Sequence, residues 1–154
     1  MEPSGRLEHP RLAGANRVRT RGQFAYVGSS LSQNTNRTDD LRSNVSVIDL
    51  SDPAAPRLRG SIDFPDAGGP NGLELAGTMV FAAGGQTVQA IDVANSEMPC
   101  ELGRLAAPTA FPGGQDDAHD LVYHEGHLLV TAQTSHSLVV LRVADESIRA
   151  AAAR

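Results

Sequence analysis

Apolar residues along this chain come in short runs of four to six, separated by Gly, Pro, Asn and Asp, and the runs recur. The strongest segment, residues 45–62 (VSVIDLSDPAAPRLRGSI), returns as residues 88–105 (VQAIDVANSEMPCELGRL), with Ile48 on Ile91, Asp49 on Asp92, Pro56 on Pro99 and Gly60 on Gly103, each pair 43 residues apart. A fixed offset across an apolar run, a Pro-containing turn and a second apolar run marks a repeated supersecondary unit. Upstream, residues 18–26 (VRTRGQFAY) overlie residues 73–81 (LELAGTMVF) at an offset of 55, and a third copy, residues 121–129 (LVYHEGHLL), follows with one added residue. The offset shrinks inside the unit because residues 29–44 make a long connection in copy one, whereas residues 84–87 cross the same gap in copy two. Connections on a surface change length freely while the strands they join keep register.

Each unit predicts up to four strands. The first is residues 17–20 in copy one, followed by a two-residue turn, Arg21-Gly22, and a partner strand over residues 23–28; Ala76-Gly77 and Glu125-Gly126 hold the equivalent turns. Glycine suits tight hairpins because they demand positive φ. The third strands, residues 45–50, 88–93 and 138–143, are nearly continuous in aliphatic residues, which predicts burial on both faces. Fourth strands over residues 57–62 and 100–105 are entered from Pro56 and Pro99, as fits an outer strand. Copy three lacks one: after Val143 the chain reads ADESIRAAAAR, a short frayed helix by composition. Residues 1–16, with Pro3, Gly5, Pro10 and Gly14, read as an arm with at most one short strand near residues 7–12. The expected organisation is therefore all-β: an arm (1–16), repeats (17–143, in units 17–63, 71–106 and 119–143) and a tail (144–154).

The segments YVG at 26–28, VSVIDLSDP at 45–53 with Pro56, and the weaker IDV at 91–93 with Pro99 resemble the LVIVD-repeat β-propeller family. The likeness spans residues 17 to about 143; copy three departs from it, with LRV at 141–143. The resemblance implies four-stranded antiparallel blades around a channel, usually in bacterial secreted or surface proteins and mostly without a defined activity. The fold expected is β-propeller-like, with about three blades and the third incomplete. Propellers typically use four to eight blades, so three leave the ring open unless two chains pair by a twofold axis, with residues 5–11 supplying the missing fourth strand, or unless this is a fragment of a longer protein. The stop in mid-unit favours the second.

Composition narrows the partners. A net charge of −5 and a pI near 5.4 argue against a nucleic-acid groove or a polybasic membrane patch. Residues 1–42 carry seven Arg against four acids, and residues 43–154 six Arg against fourteen acids. A solvated basic tail is the preferred account of that asymmetry. Cys100 is the sole cysteine, so no intrachain disulfide forms, and its place in a fourth strand predicts a small buried or half-buried filler. The N-terminus as written lacks a secretory h-region, and no run reaches the roughly 18 apolar residues of a membrane span. A cytoplasmic protein is expected as written, and a secreted or cell-surface one if the gene begins further upstream.

In propellers, ligands gather at the channel mouth, where loops enter the innermost strands. The repeat places Asn16, Asn71 and His119 in one column there, one step before Arg17, Gly72 and Asp120. With His136, in the connection that returns to the same side, the binding set expected is Asn16, Asn71, His119, Asp120 and His136. The loop at 113–120, GGQDDAHD, offers Asp116, Asp117 and His119 to a divalent cation, calcium or magnesium if oxygen alone ligates and zinc or a transition metal if the imidazole joins. The same residues also suit a capped, solvated turn, which is the preferred reading, and no catalytic residue is assigned. His124 and His127 flank a hairpin turn at the opposite end. Asp49 and Asp92 are expected to accept backbone N–H groups of the following turns, and copy three has Arg142 in that column. No nucleophile elbow, phosphate-binding loop or dinucleotide fingerprint occurs. Two functions follow: a non-catalytic scaffold that binds a protein or polymer, or a metal-dependent hydrolase or oxidoreductase acting through Asn71, His119 and Asp120.

Overall fold

The structure, a computed structural model, describes residues 2–31, 42–66, 68–106 and 117–154. Among these described residues there are three antiparallel sheets, none closed on itself. Sheet one holds β1 (Ala15–Arg21), β2 (Phe24–Ser29), β3 (Asn44–Asp49) and β4 (Arg57–Asp63) in chain order. Sheet two repeats this with β5 (Gly72–Ala76), β6 (Met79–Gly84), β7 (Thr87–Asp92) and β8 (Cys100–Ala106). Sheet three has β9 (Ala118–His124), β10 (His127–Ala132) and β11 (Ser137–Arg142), and a helix, α1 (Glu146–Ala152), follows.

The hairpins keep one register. Arg21 pairs with Phe24, Ala76 with Met79 and His124 with His127, so each turn has two residues: Gly22-Gln23, Gly77-Thr78 and Glu125-Gly126. The first two turns thus begin one residue later than the sequence suggested, and the third copy needs no added residue. What moves is the glycine. Gly22 and Gly77 hold the first turn position at φ of 57° and 53°, whereas sheet three puts Glu125 at 46° and Gly126 at 80°. A turn with both central residues at positive φ twists the strands as well as one that begins on Gly.

Sheet two is packed between its neighbours. Val80, Ala82, Ile91 and Leu73 meet Tyr26, Val45 and Val47 of sheet one, while Met79, Phe81, Val88 and Ala90 meet Leu121, Leu128 and Val130 of sheet three. The rings of Phe81 and Tyr123 stack across the second interface, 5.4 Å between centroids. Because successive side chains of a strand face opposite sides, a strand covered on both sides must be apolar throughout, and β3 and β7 are buried from end to end except for their terminal Asp. β11 is not. Leu138 and Val140 are 58% and 59% exposed, because no described sheet lies on that side of sheet three. The carboxylates of Asp49 and Asp92 accept the backbone N–H groups of Ser51 and Ala94, each at 2.8 Å. The bonds from Ser51, its amide foremost, hold the Asp49 carboxyl below its ordinary range.

Three local expectations are corrected. β1 takes in the last two residues of the arm, and over residues 7–12 the arm forms a 3-10 turn at Pro10–Leu12 and no strand. It lies on its own sheet one: Asn44 donates from its side chain to the Arg11 carbonyl at 2.9 Å, and Arg11 meets Asp63 at 2.5 Å. Within the single chain residues 5–11 therefore lie against sheet one and not beside sheet three. α1 is docked where a frayed helix was expected. Ile148, Ala151 and Ala152 are buried, and the Thr78 amide donates to the Ala151 carbonyl at 2.8 Å. Cys100 is exposed and free, because it opens β8 at the outer edge of sheet two.

α1 takes a place the repeat would give to a turn. Gly60, in β4, faces the β7–β8 turn so closely that a Cβ there would lie 2.7 Å from the Ser96 and Glu97 carbonyls. Its counterpart Gly103 faces Ile148 of α1, 3.0 Å from the same imagined Cβ.

Two outcomes test this packing. Phe81→Ala should cost about 3–5 kcal/mol in denaturant unfolding, whereas Leu138→Ala should stay within about 0.5 kcal/mol. The second concerns acid. The Asp145 carboxylate caps α1 through the Ser147 and Ile148 amides, and bonds from Ser147 above all lower its pKa from the ordinary 3.8. A depressed folded pKa gives a contribution that is full above the unfolded value and is lost as pH falls through the lower folded value. The protection factor of the Thr78 amide, its exchange rate relative to the intrinsic rate at each pH, should therefore fall as the pH drops below about 4, and Asp145→Asn, a neutral cap, should remove that loss.

Candidate functional site

The first strands of all three sheets begin at one end of the molecule, and local irregularities shape that end. In β1 the register passes from Ala15–Ser29 to Arg17–Gly28, leaving Asn16 as an extra residue. In β9 it passes from Ala132–Ala118 to Thr131–Asp120, leaving His119 as one. Two members of the predicted column thus sit on β-bulges, devices that re-aim a side chain at the end of a sheet. The third, Asn71, lies just before β5, its amide bonded to the Ala83 carbonyl at 2.8 Å.

The polar groups here are tied to one another. Asn16 donates from its side-chain amide to the Asn71 side-chain oxygen at 3.2 Å, and Asn71 in turn donates to the Gly68 carbonyl at 2.8 Å. The Arg17 guanidinium donates to the Asn71 backbone carbonyl. The start of β5 abuts the start of β9 so tightly that a Cβ on Gly72 would lie 2.8 Å from the Asp120 Cα. Asp120 accepts the Leu121 amide at 3.0 Å and stands 3.9 Å from Arg19, while its own amide donates to the Thr131 hydroxyl at 3.0 Å. These bonds anchor the loops and engage both ends of the Asn71 side-chain amide, whereas Asp120 is held through one carboxylate oxygen and its side chain stays 44% exposed.

His119 is also exposed. It shares an open depression of about 340 Å3 with Thr131, Gln133, His136 and Ser137, so the structure brings the two histidines of the predicted set to one hollow. His136 reaches it from the β10–β11 turn with φ of 53°, a left-handed conformation uncommon for a side-chain-bearing residue. The Asp117 carbonyl accepts the Gln133 amide at 3.0 Å. Asp116 lies outside the described residues, and among the described residues no three of His, Cys, Asp and Glu come together as a metal centre. His124 and His127 pair across the opposite turn.

Sequence reasoning missed Asp66, the residue that organises the connection from β4 to β5. Its carboxylate accepts the Gly68 amide at 2.8 Å and the Gln86 amide at 2.9 Å, joining that connection to the β6–β7 turn. A Cβ on Gly85 would lie within 2.4 Å of that carboxylate. An Asp followed two residues later by Gly is a legible turn signal, but the bond to Gln86, twenty residues away, is not. A second depression, of about 640 Å3, opens at the other end between sheets one and two and includes Arg21, Tyr26, Thr78 and Arg154.

No protein-family model matches the chain, and no curated protein matches it. No helix among the described residues is long and apolar enough to cross a membrane.

The network assigns Asn71 a structural part and leaves His119 unencumbered. Asn71→Ala should cost about 1–3 kcal/mol in urea unfolding, from the stranded Gly68 and Asn16 partners, while His119→Ala should change stability by less than about 0.5 kcal/mol.

Proposed function

We propose that the chain is a non-catalytic interaction module of the LVIVD-repeat propeller type, its three sheets serving as blades and its partner surface being the open side of the third. One observation carries this reading. In the repeat register Leu138 and Val140 stand where sheet one has Val45 and Val47 and sheet two has Val88 and Ala90. Those four are 1%, 0%, 4% and 8% exposed, each covered by the next sheet, against 58% and 59% for Leu138 and Val140. Val122, on the same side, is 52% exposed. The occupant that fits is another blade-like sheet offering aliphatic side chains, since that is what covers the equivalent positions twice in this chain. Contiguous exposed apolar surface of this kind marks association sites.

A second copy supplies such a sheet most directly through its own third sheet. The outer side of sheet one is closed to that role, since Ala25, Ser46 and Ile48 are already buried there and the arm is anchored beside them. A metal-dependent activity has one point in its favour, the meeting of His119 and His136, and it would place a divalent cation in their hollow.

Size-exclusion chromatography with light scattering tests the module. The purified chain should be a dimer or insoluble, and Val122→Asp with Val140→Asp should yield a soluble monomer. A well-folded monomer from the unaltered chain would rule the reading out. Stoichiometric metal, lost on His119→Ala, would favour the enzyme instead.

A further inference from the structure

The third strands of sheets one and two are hydrogen-bonded on both sides, β3 between β2 and β4 and β7 between β6 and β8. Among the described residues β11 is bonded on one side alone, to β10. Beside its free edge runs a groove of about 250 Å3. Leu102 and Leu105 of β8 form one wall, Leu141 and Leu128 the other, Phe81 contributes from sheet two, and Ile148 of α1 is also part of the lining. This is where a fourth strand of sheet three would lie. The edge has none of the usual protections: SLVVLR contains no Pro and no Lys, its pairing with β10 runs without a bulge, and its one charge comes last. Such an edge is a template for another strand.

We propose that an extended segment of a partner protein adds to β11 as an antiparallel fourth strand. Its alternate aliphatic side chains fill the groove, and an acidic residue stands opposite Arg142. Backbone bonds to the edge supply affinity in this mode, and pockets for alternate side chains supply specificity.

Charge selects the acidic residue. At the equivalent register sheet one pairs Asp49 with Arg57 and sheet two pairs Asp92 with Cys100. Sheet three has Arg142 there, on the groove wall, with no ion pair among the described residues. The other charges of the lining are engaged: Arg104 is bonded to Glu101 at 2.9 Å, and Asp145 caps α1. Opposite charges on facing strands are favourable, like charges are not.

Stacking selects a lone strand over a second copy of β11. A twofold axis that pairs two β11 edges antiparallel stands normal to the joined sheet, so it keeps equivalent faces on one side. Both copies of sheet two would then crowd that side, each β8 projecting over a β11 that the other copy's own sheet two already covers. A single extended segment meets no such obstacle.

The proposal goes beyond the module reading. Its strand bonds to the free edge of β11 and its aliphatic side chains enter the groove; only its polar residues, opposite Arg142, Val140 and Leu138, border the open side, and the His119 hollow is not used, so exchange at residues 137–142 and the Leu102 variant judge it separately. The probe is a heptapeptide, acetyl-Glu-Val-Thr-Val-Thr-Val-Ser with a C-terminal fluorophore, titrated against the full chain by anisotropy, with amide exchange followed over residues 137–142. Saturable binding that slows exchange in that segment is expected. Leu102→Asp, a partly exposed position, should weaken binding at least about tenfold with the circular dichroism unchanged. Arg142→Glu should weaken it by about tenfold and favour a peptide that begins with Lys. The proposal is overturned by no saturable binding up to about 1 mM, by binding that leaves exchange at 137–142 unaltered, or by full protection of that edge in the free chain.

Discussion

Face-to-face packing of sheet two between its neighbours is the constraint on which the remaining structure depends. A sheet with one wet face alternates apolar and polar residues, but a sheet covered on both faces cannot. β6 is buried throughout and β7 up to its terminal Asp, with Val80 and Ile91 turned to sheet one and Phe81 and Val88 turned to sheet three. At roughly 25 cal/mol for each Å2 of apolar surface removed from water, two such interfaces outweigh any single hydrogen bond in the molecule. The bulges, turns and caps at the ends of the sheets set directions within that frame.

The ends of the stack are finished differently. Beyond sheet one, the arm is held through Arg11 to Asn44 and Asp63, and the outer residues of β2 and β3 are covered. Beside sheet three, α1 occupies the place against Gly103 that the β7–β8 turn occupies against Gly60. The helix is too short to persist alone. It is held by its Asp145 cap and by Ile148, Ala151 and Ala152 buried at the edge of the second interface. A tail that composition marks as marginal thus becomes part of the core.

Much of the candidate site was visible in the repeat and much was not. The register that aligned Asn16, Asn71 and His119 is reproduced by the bulges at Asn16 and His119, because in copies one and three a bulge adds one residue at the same place, and Asn71 precedes the first paired residue of β5 at that place. Alignment could not tell which members were free. Asn71 is engaged by Asn16, Gly68 and Arg17, whereas His119 faces a hollow with His136. That difference depends on partners up to 55 residues distant. Asp66 went unnoticed for the same reason, since half of its role lies across a gap between two connections.

The sequence by itself determined the strands, their order within each sheet, the glycine turns to within one residue and the turn-capping parts of Asp49 and Asp92. These rest on periodicity and on contacts a few residues apart, both written into local order. Tertiary structure alone decided that the arm lies on its own sheet, that Cys100 is exposed, that α1 docks, and that among the described residues β11 keeps an open side and an open edge. Each of those outcomes turns on which surface lies next to which. Burial belongs to pairs of surfaces, so a run such as SLVVLR reads the same whether a neighbour covers it or not.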